Sequence, residues 1–183
     1  MCVRQSVAIS VWYMKTRHSH ISEVDIARGI PKSVEKPLRP ERFEKIQIGY
    51  LSKMLGVTQF GVNHIVLQRD VFTSLRHWHE GEDEFVYVLS GNPTLIDNNG
   101  ERELKKGCFV SFLAGEPNAH HFTNCNDEEA VILVIGSSKP GQDVCHYPDD
   151  PLGPIQRWRV WNLSCCLSHL LRSFGRIALG FAI

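Results

Sequence analysis

The chain has 183 residues, a hydrophobic fraction of 43%, a charged fraction of 22% and a formal net charge of +0. That is the size and make-up of one globular domain able to bury a core. The balance of charge argues against a generally basic nucleic-acid-binding surface. No run approaches the roughly 20 apolar residues that span a bilayer, so no transmembrane segment is expected.

Taken in order, the N-terminal "MCVRQSVAISVWYMK" holds a single Arg4 and a short, interrupted apolar run without a small-x-small cleavage site, which does not read as a signal peptide. Met14 offers a second start. Residues 1–45 read as an extended lead-in, with Pro31, Pro37 and Pro40 set among charges. Residues 46–150 read as the folded domain. "QFGVNHIVLQ", "EFVYVLSG", "CFVSFLAGEP" and "EEAVILVIG" are short strand-like runs separated by turn signals. "NPTLIDNNGERELKKG" carries Asn99-Gly100, a strong hairpin signal. Strands of this length and spacing predict an all-β, antiparallel sandwich or barrel. "SSKPGQDVCHYPDD" reads as a loop-like exit.

Residues 151–183 form a tail of different character. It holds four arginines after Pro154 and no acidic residue, so the rest of the chain has four more acidic than basic residues. Leu163, Leu167, Leu170, Leu171, Phe174, Ile177, Ala178 and Phe181 recur at helical spacing, opposite His169, Arg172, Ser173 and Arg176. The tail reads as an amphipathic helix that packs or touches a membrane surface, or as off-frame sequence. Cys2, Cys108, Cys125, Cys145, Cys165 and Cys166 show no paired spacing. They read as reduced thiols, which points to a cytoplasmic protein.

The chemistry concentrates in "RHWHEGEDEFVYVLSG", residues 76 to 91. Residues two apart in a strand share a face, so His77 and His79 project together and Trp78 points away. "EGED" then reads as a turn returning Glu84 beside them, with Val86 and Val88 on the same face. In "AHHFTN", His120 with Phe122 and Asn124 would face inward from the opposite side, and His121 and Thr123 outward. Three imidazoles and a carboxylate converging inside a β-barrel make a divalent-metal site. Thr73, Leu75, Val86, Val88 and Phe122 are expected to line it. Asn63 is expected to be structural in the sheet or to lend one amide.

The spacing H-x-H-x4-E-x6-G, carried by His77, His79, Glu84 and Gly91, resembles the first motif of the cupin superfamily. Gly107, Gly115, His120 and Asn124 approximate the second. The resemblance covers residues 46 to 137, and the chain also looks like one group of small single-domain bacterial cupins, whose chains continue acidic and polar after "YPDD". Val71 stands where the first motif opens with glycine, Leu113 where the second has proline, and two extra residues separate Gly115 from His120. The interval to Asn124 favours His120 over His121. The resemblance implies a double-stranded β-helix, or jelly-roll, barrel, one Mn, Fe, Ni, Co or Zn ion, a small-molecule ligand or substrate, and a homodimer. Trp78 and Tyr87 are expected as outward aromatic surface for that dimer. The function is then a metal-dependent oxygenase, isomerase or lyase, or a non-catalytic module that binds or senses a small ligand. With no helix-turn-helix visible, nucleic acid is not expected as a partner.

Overall fold

The computed structural model describes residues 17–28, 43–149 and 154–157. The helical reading of the tail, Met14, Cys2, Cys165 and Cys166 lie outside them. Alternation of apolar and polar residues dictates most of the strands. These are β1 (Ile26–Arg28), β2 (Gln47–Tyr50), β3 (Phe60–Leu67), β4 (Trp78–His79), β5 (Glu84–Ser90), β6 (Thr94–Asp97), β7 (Gly100–Glu103), β8 (Phe109–Phe112), β9 (His121–Thr123), β10 (Ala130–Ser137), β11 (Asp143–His146) and β12 (Ile155–Arg157). One short helix, α1 (Leu51–Leu55), ends at Gly56, whose φ of 72° closes it in the left-handed cap that glycine favours.

The strands form three antiparallel sheets, ordered β1-β2-β3-β10-β5-β8, β12-β11-β4 and β7-β6-β9. An antiparallel bridge between His77 and His120 links the two small sheets. The core joins the inward face of the large sheet, with Ile48, Ile65, Leu67, Val86, Val88, Ile132 and Val134, to Leu95 of β6 and Phe122 of β9. This is the all-β, antiparallel class expected from the strand spacing, arranged as the jelly roll that the resemblance implied. Burying such a continuous apolar layer is the main term favouring the fold.

Details differ from the sequence reading. In the β6–β7 hairpin Asp97 pairs with Gly100, so Asn98 and Asn99 make the turn and Gly100, at φ 105°, opens the return strand. "SSKPGQDVCHYPDD" contains β11 and is not only a loop. "EGED" is not a hairpin turn: β4 pairs with β11 and β5 with β10 and β8, so residues 80–83 cross from one sheet to another. Thr123 lies on the face opposite Phe122, as expected, but is only 4% exposed, because residues 71–73 run over it and its hydroxyl donates to Val71 O at 3.0 Å. Among the described residues Cys108, Cys125 and Cys145 form no disulfide. Among the described residues no helix is long and apolar enough to cross a membrane.

Candidate metal centre

The site is built where three sheets meet. β5 alternates strictly between buried and exposed residues, which turns Glu84, Val86 and Val88 inward and Phe85, Tyr87 and Leu89 outward. His77 and His120 are direct cross-strand neighbours, exchanging backbone hydrogen bonds of 3.1 and 2.9 Å. His120 therefore stands beside His77 and not opposite it, while Glu84 comes from the facing sheet. The reason is the crossover at residues 80–83, which sends β5 away from β4.

His77, His79, Glu84 and His120 are all at least nine-tenths buried. Ligand atoms of His77, Glu84 and His120 lie within 4.8 Å of one another. His79 adjoins them: its ring centroid is 5.0 Å from that of His77, and the His77 and His120 centroids are 5.2 Å apart. The four residues named from the sequence thus occupy one buried cluster, although Glu84 and His79 fall in different tight groups within it.

Each imidazole is oriented from behind. His77 Nδ1–H donates to Leu75 O at 2.8 Å, His79 Nδ1–H to Asp143 Oδ2 at 2.7 Å, and His120 Nδ1–H to Asn118 O at 3.1 Å. A carbonyl or carboxylate can only accept, so in all three rings Nδ1 carries a proton, and in the neutral form of each ring Nε2 carries the lone pair. His120 also stacks on Phe112, the two rings nearly parallel. Its Nε2 then meets Glu84 Oε1 at 3.3 Å, an acceptor facing an acceptor in a dry interior. Either a proton, on Nε2 or on the carboxyl, or a metal ion bridges the two atoms. The second oxygen, Glu84 Oε2, is buried with no hydrogen-bond partner among the described residues. Burial opposes ionisation of Glu84, but the hydrogen bond and positive charge of His120, with His77 and His79, outweigh it and hold the carboxyl below its ordinary range. The donor set and the orphaned oxygen fit a divalent first-row ion.

Three neighbours were not singled out in the sequence. Asp143, fully buried on β11, accepts from His79 and, through Oδ1, from the backbone N–H of Gly81 at 2.9 Å. Cys145, also buried, pairs in register with His79, and its Sγ lies within 4.8 Å of ligand atoms of His77 and His79. Only the pairing of β11 with β4 brings either one here, and no local spacing announces it. Glu82, 2% exposed, forms a further group with His79 and Asp143, and its Oε1 accepts from the backbone N–H of Lys139 at 2.6 Å.

Other expected residues fall elsewhere. His121 is half-buried, packed on Phe72 at 5.0 Å, with Nδ1 donating to Ser74 O. Leu75 packs with Cys145 and Tyr147 and not with Val86, Val88 and Phe122. Thr73 accepts from the backbone N–H of Phe122. Asn124 is a clamp: its amide donates to Leu67 O and Glu128 O and accepts from Asn126 N–H.

A cupin-domain family model matches residues 63–136. A solved protein from Silicibacter pomeroyi, described as a sugar phosphate isomerase from the cupin superfamily, is 31% identical with a TM-score of 0.66, over 77% of this chain and 92% of that one. The chain belongs to the cupin superfamily. Another solved cupin-like structure, a candidate sugar phosphate isomerase from Acidithiobacillus ferrooxidans, is 33% identical with a TM-score of 0.55, over 60% of this cupin and 68% of that chain. The polyketide cyclase RemF from Streptomyces resistomycificus shares the fold at 19% identity and a TM-score of 0.51, over 67% and 80%. No curated protein matches this cupin significantly.

Proposed function

We propose that this cupin holds one divalent metal ion at His77, His79, Glu84 and His120 and catalyses aldose–ketose isomerisation of a phosphorylated sugar. The observation that carries the metal is the His120–Glu84 contact, where an imidazole Nε2 meets a buried carboxylate within a cluster whose three Nδ1 atoms are already committed to protein acceptors. The substrate class comes from the two relatives above 30% identity, one described as a sugar phosphate isomerase and the other as a candidate one. A bound ion of this kind supplies Lewis-acid polarisation of a carbonyl. The chain's own part is to fix the donors through Leu75 O, Asp143 and Asn118 O, and to keep water out with Val86, Val88, Phe112 and Phe122.

The test is proton NMR of the metal-loaded protein in D₂O with fructose 6-phosphate and with ribose 5-phosphate. The expected result is aldose–ketose interconversion with deuterium entering beside the carbonyl, lost after chelation and restored by Mn(II) or Zn(II). Saturable binding without any product would replace this reading with a ligand-binding module.

The same reading includes a homodimer. Phe85, Tyr87, Leu89 and Phe109 line the outer face of β5 and of the edge strand β8, and Phe109 is 65% exposed. Phe85 and Phe109 stack at 5.9 Å, forming a continuous apolar patch of the kind that marks an interface. Trp78, by contrast, is covered by His146, stacked at 4.1 Å. Light scattering at micromolar concentration is expected to give a dimer for the wild type and a monomer for Phe109→Asp. A monomeric wild type rules the dimer out.

A further inference from the structure

We infer that Asn63 is a ligand-binding residue, whose buried side-chain amide receives a hydroxyl or carbonyl group of a polyhydroxylated small molecule held inside the β-barrel beside Glu84. The inference rests on the proposed isomerase reading for the identity of that molecule, but its structural basis is independent of the metal.

Asn63 lies in the middle of β3 and is 1% exposed. Neither its Nδ2 nor its Oδ1 has a hydrogen-bond partner among the described residues. Its neighbours on the inward face of β3 are Gly61 and Ile65, all three buried, while Val62 and His64 between them are half-buried, so the amide faces the interior. An unsatisfied amide in such a place opposes folding, because it loses its water and gains nothing. Retaining one makes physical sense where something else completes its hydrogen bonds.

The register shows what could. Asn63 pairs with Val134, and Val134 with Val86, so these three make one inward-facing row across β3, β10 and β5. The next row is Gly61, Gly136 and Glu84. Two of its three members have no side chain, so the inner face carries a bare strip running straight up to the Glu84 carboxylate. It is the last inward row at this end of all three strands, since β3 begins at Phe60, β5 begins at Glu84 and β10 ends at Ser137. Adjacent strands stand about 4.8 Å apart and successive same-face rows about 7 Å, so Glu84 and Asn63, two strands and one row apart, are separated by roughly 12 Å. That matches a small organic molecule contacting the metal-site carboxylate at one end and an amide at the other. An amide offers two N–H donors and an oxygen acceptor. A hydroxyl, which both donates and accepts, satisfies it better than an apolar or purely anionic group does.

The experiment compares wild type with Asn63→Leu, a near-isosteric change that removes both polar atoms, and with Asn63→Asp as a second polar variant. Three quantities are read on the full chain: metal content after dialysis, the thermal unfolding midpoint without ligand, and the affinities for fructose 6-phosphate and ribose 5-phosphate by calorimetry. The expected result for Asn63→Leu is unchanged metal content, an unfolding midpoint equal to or above that of wild type, and at least a tenfold loss of affinity for whichever phosphate the wild type binds. A lower midpoint with unchanged metal would show that the amide serves the fold, and would overturn the inference. So would affinity that survives the substitution. Wild type that binds neither compound overturns the ligand class and the inference with it. Absence of metal in wild type that still binds a sugar phosphate through Asn63 would sink the proposed function and leave this site standing.

Discussion

Alanine at His77, His79, Glu84 or His120 is expected to lower divalent-metal affinity at least about tenfold, or more than about 1.4 kcal/mol, in each case. The four side chains come from three separate sheets or bridges and are each buried, and truncation to alanine removes one donor atom from the cluster in each case. His121→Ala should retain wild-type metal, because that ring packs on Phe72 and donates to Ser74 O, away from the cluster. Asp143→Asn should cost about 10- to 100-fold in affinity without removing a ligand. Its carboxylate accepts from His79 Nδ1 and so keeps the lone pair on Nε2, whereas an amide can present N–H to the same nitrogen and reverse the tautomer. Metal content by elemental analysis after identical dialysis reads all six variants. Equal metal in wild type and His79→Ala would refute the site. Loss in His121→Ala with retention in His120→Ala would move the second motif by one residue.

Gly91→Ala is expected to be the most destabilising single methyl added to the described part of β5 and its turn. Gly91 has φ 69°, and a Cβ there would lie 2.5 Å from Glu129 O and 2.7 Å from Ala130 Cα, both backbone atoms that cannot rotate aside. Left-handed backbone at a non-glycine residue costs about 1–3 kcal/mol, and the backbone clash adds to it, so a loss of about 3–4 kcal/mol is expected. For a chain of this size that lowers the unfolding midpoint by roughly 6–16 °C. Gly107→Ala is the control. It has φ 88° but nothing within 4 Å of an added Cβ, so it should show the backbone cost alone. Thermal melts of the two variants that coincide within a degree would mean that the close approach of β5 and β10 at Gly91 contributes nothing.

The motif glycine thus has a physical account that the sequence pattern alone does not contain. Asn124 is similar: it matches the second motif, yet its hydrogen bonds all go to backbone groups of residues 67, 126 and 128, so it holds a turn.

What the amino-acid sequence determined by itself is local and periodic. Strict alternation in "EFVYVL" decided which side of β5 is buried, because a strand's side chains alternate with period two whatever it pairs with. The same rule, with the spacing of His77, His79, Glu84 and His120, named four residues that gather in one buried cluster. The Asn-Gly signal announced the β6–β7 hairpin, although the turn sits one residue earlier. Only the tertiary structure decided which strands are neighbours. That choice put His120 beside His77, carried β5 across to the facing sheet through residues 80–83, and brought Asp143, 64 residues away in sequence, to the back of His79. It also aligned Gly61, Gly136 and Glu84 in one row next to Asn63. Pairings between distant strands depend on the burial of the whole apolar layer and on register between segments, and neither is written in the spacing of nearby residues.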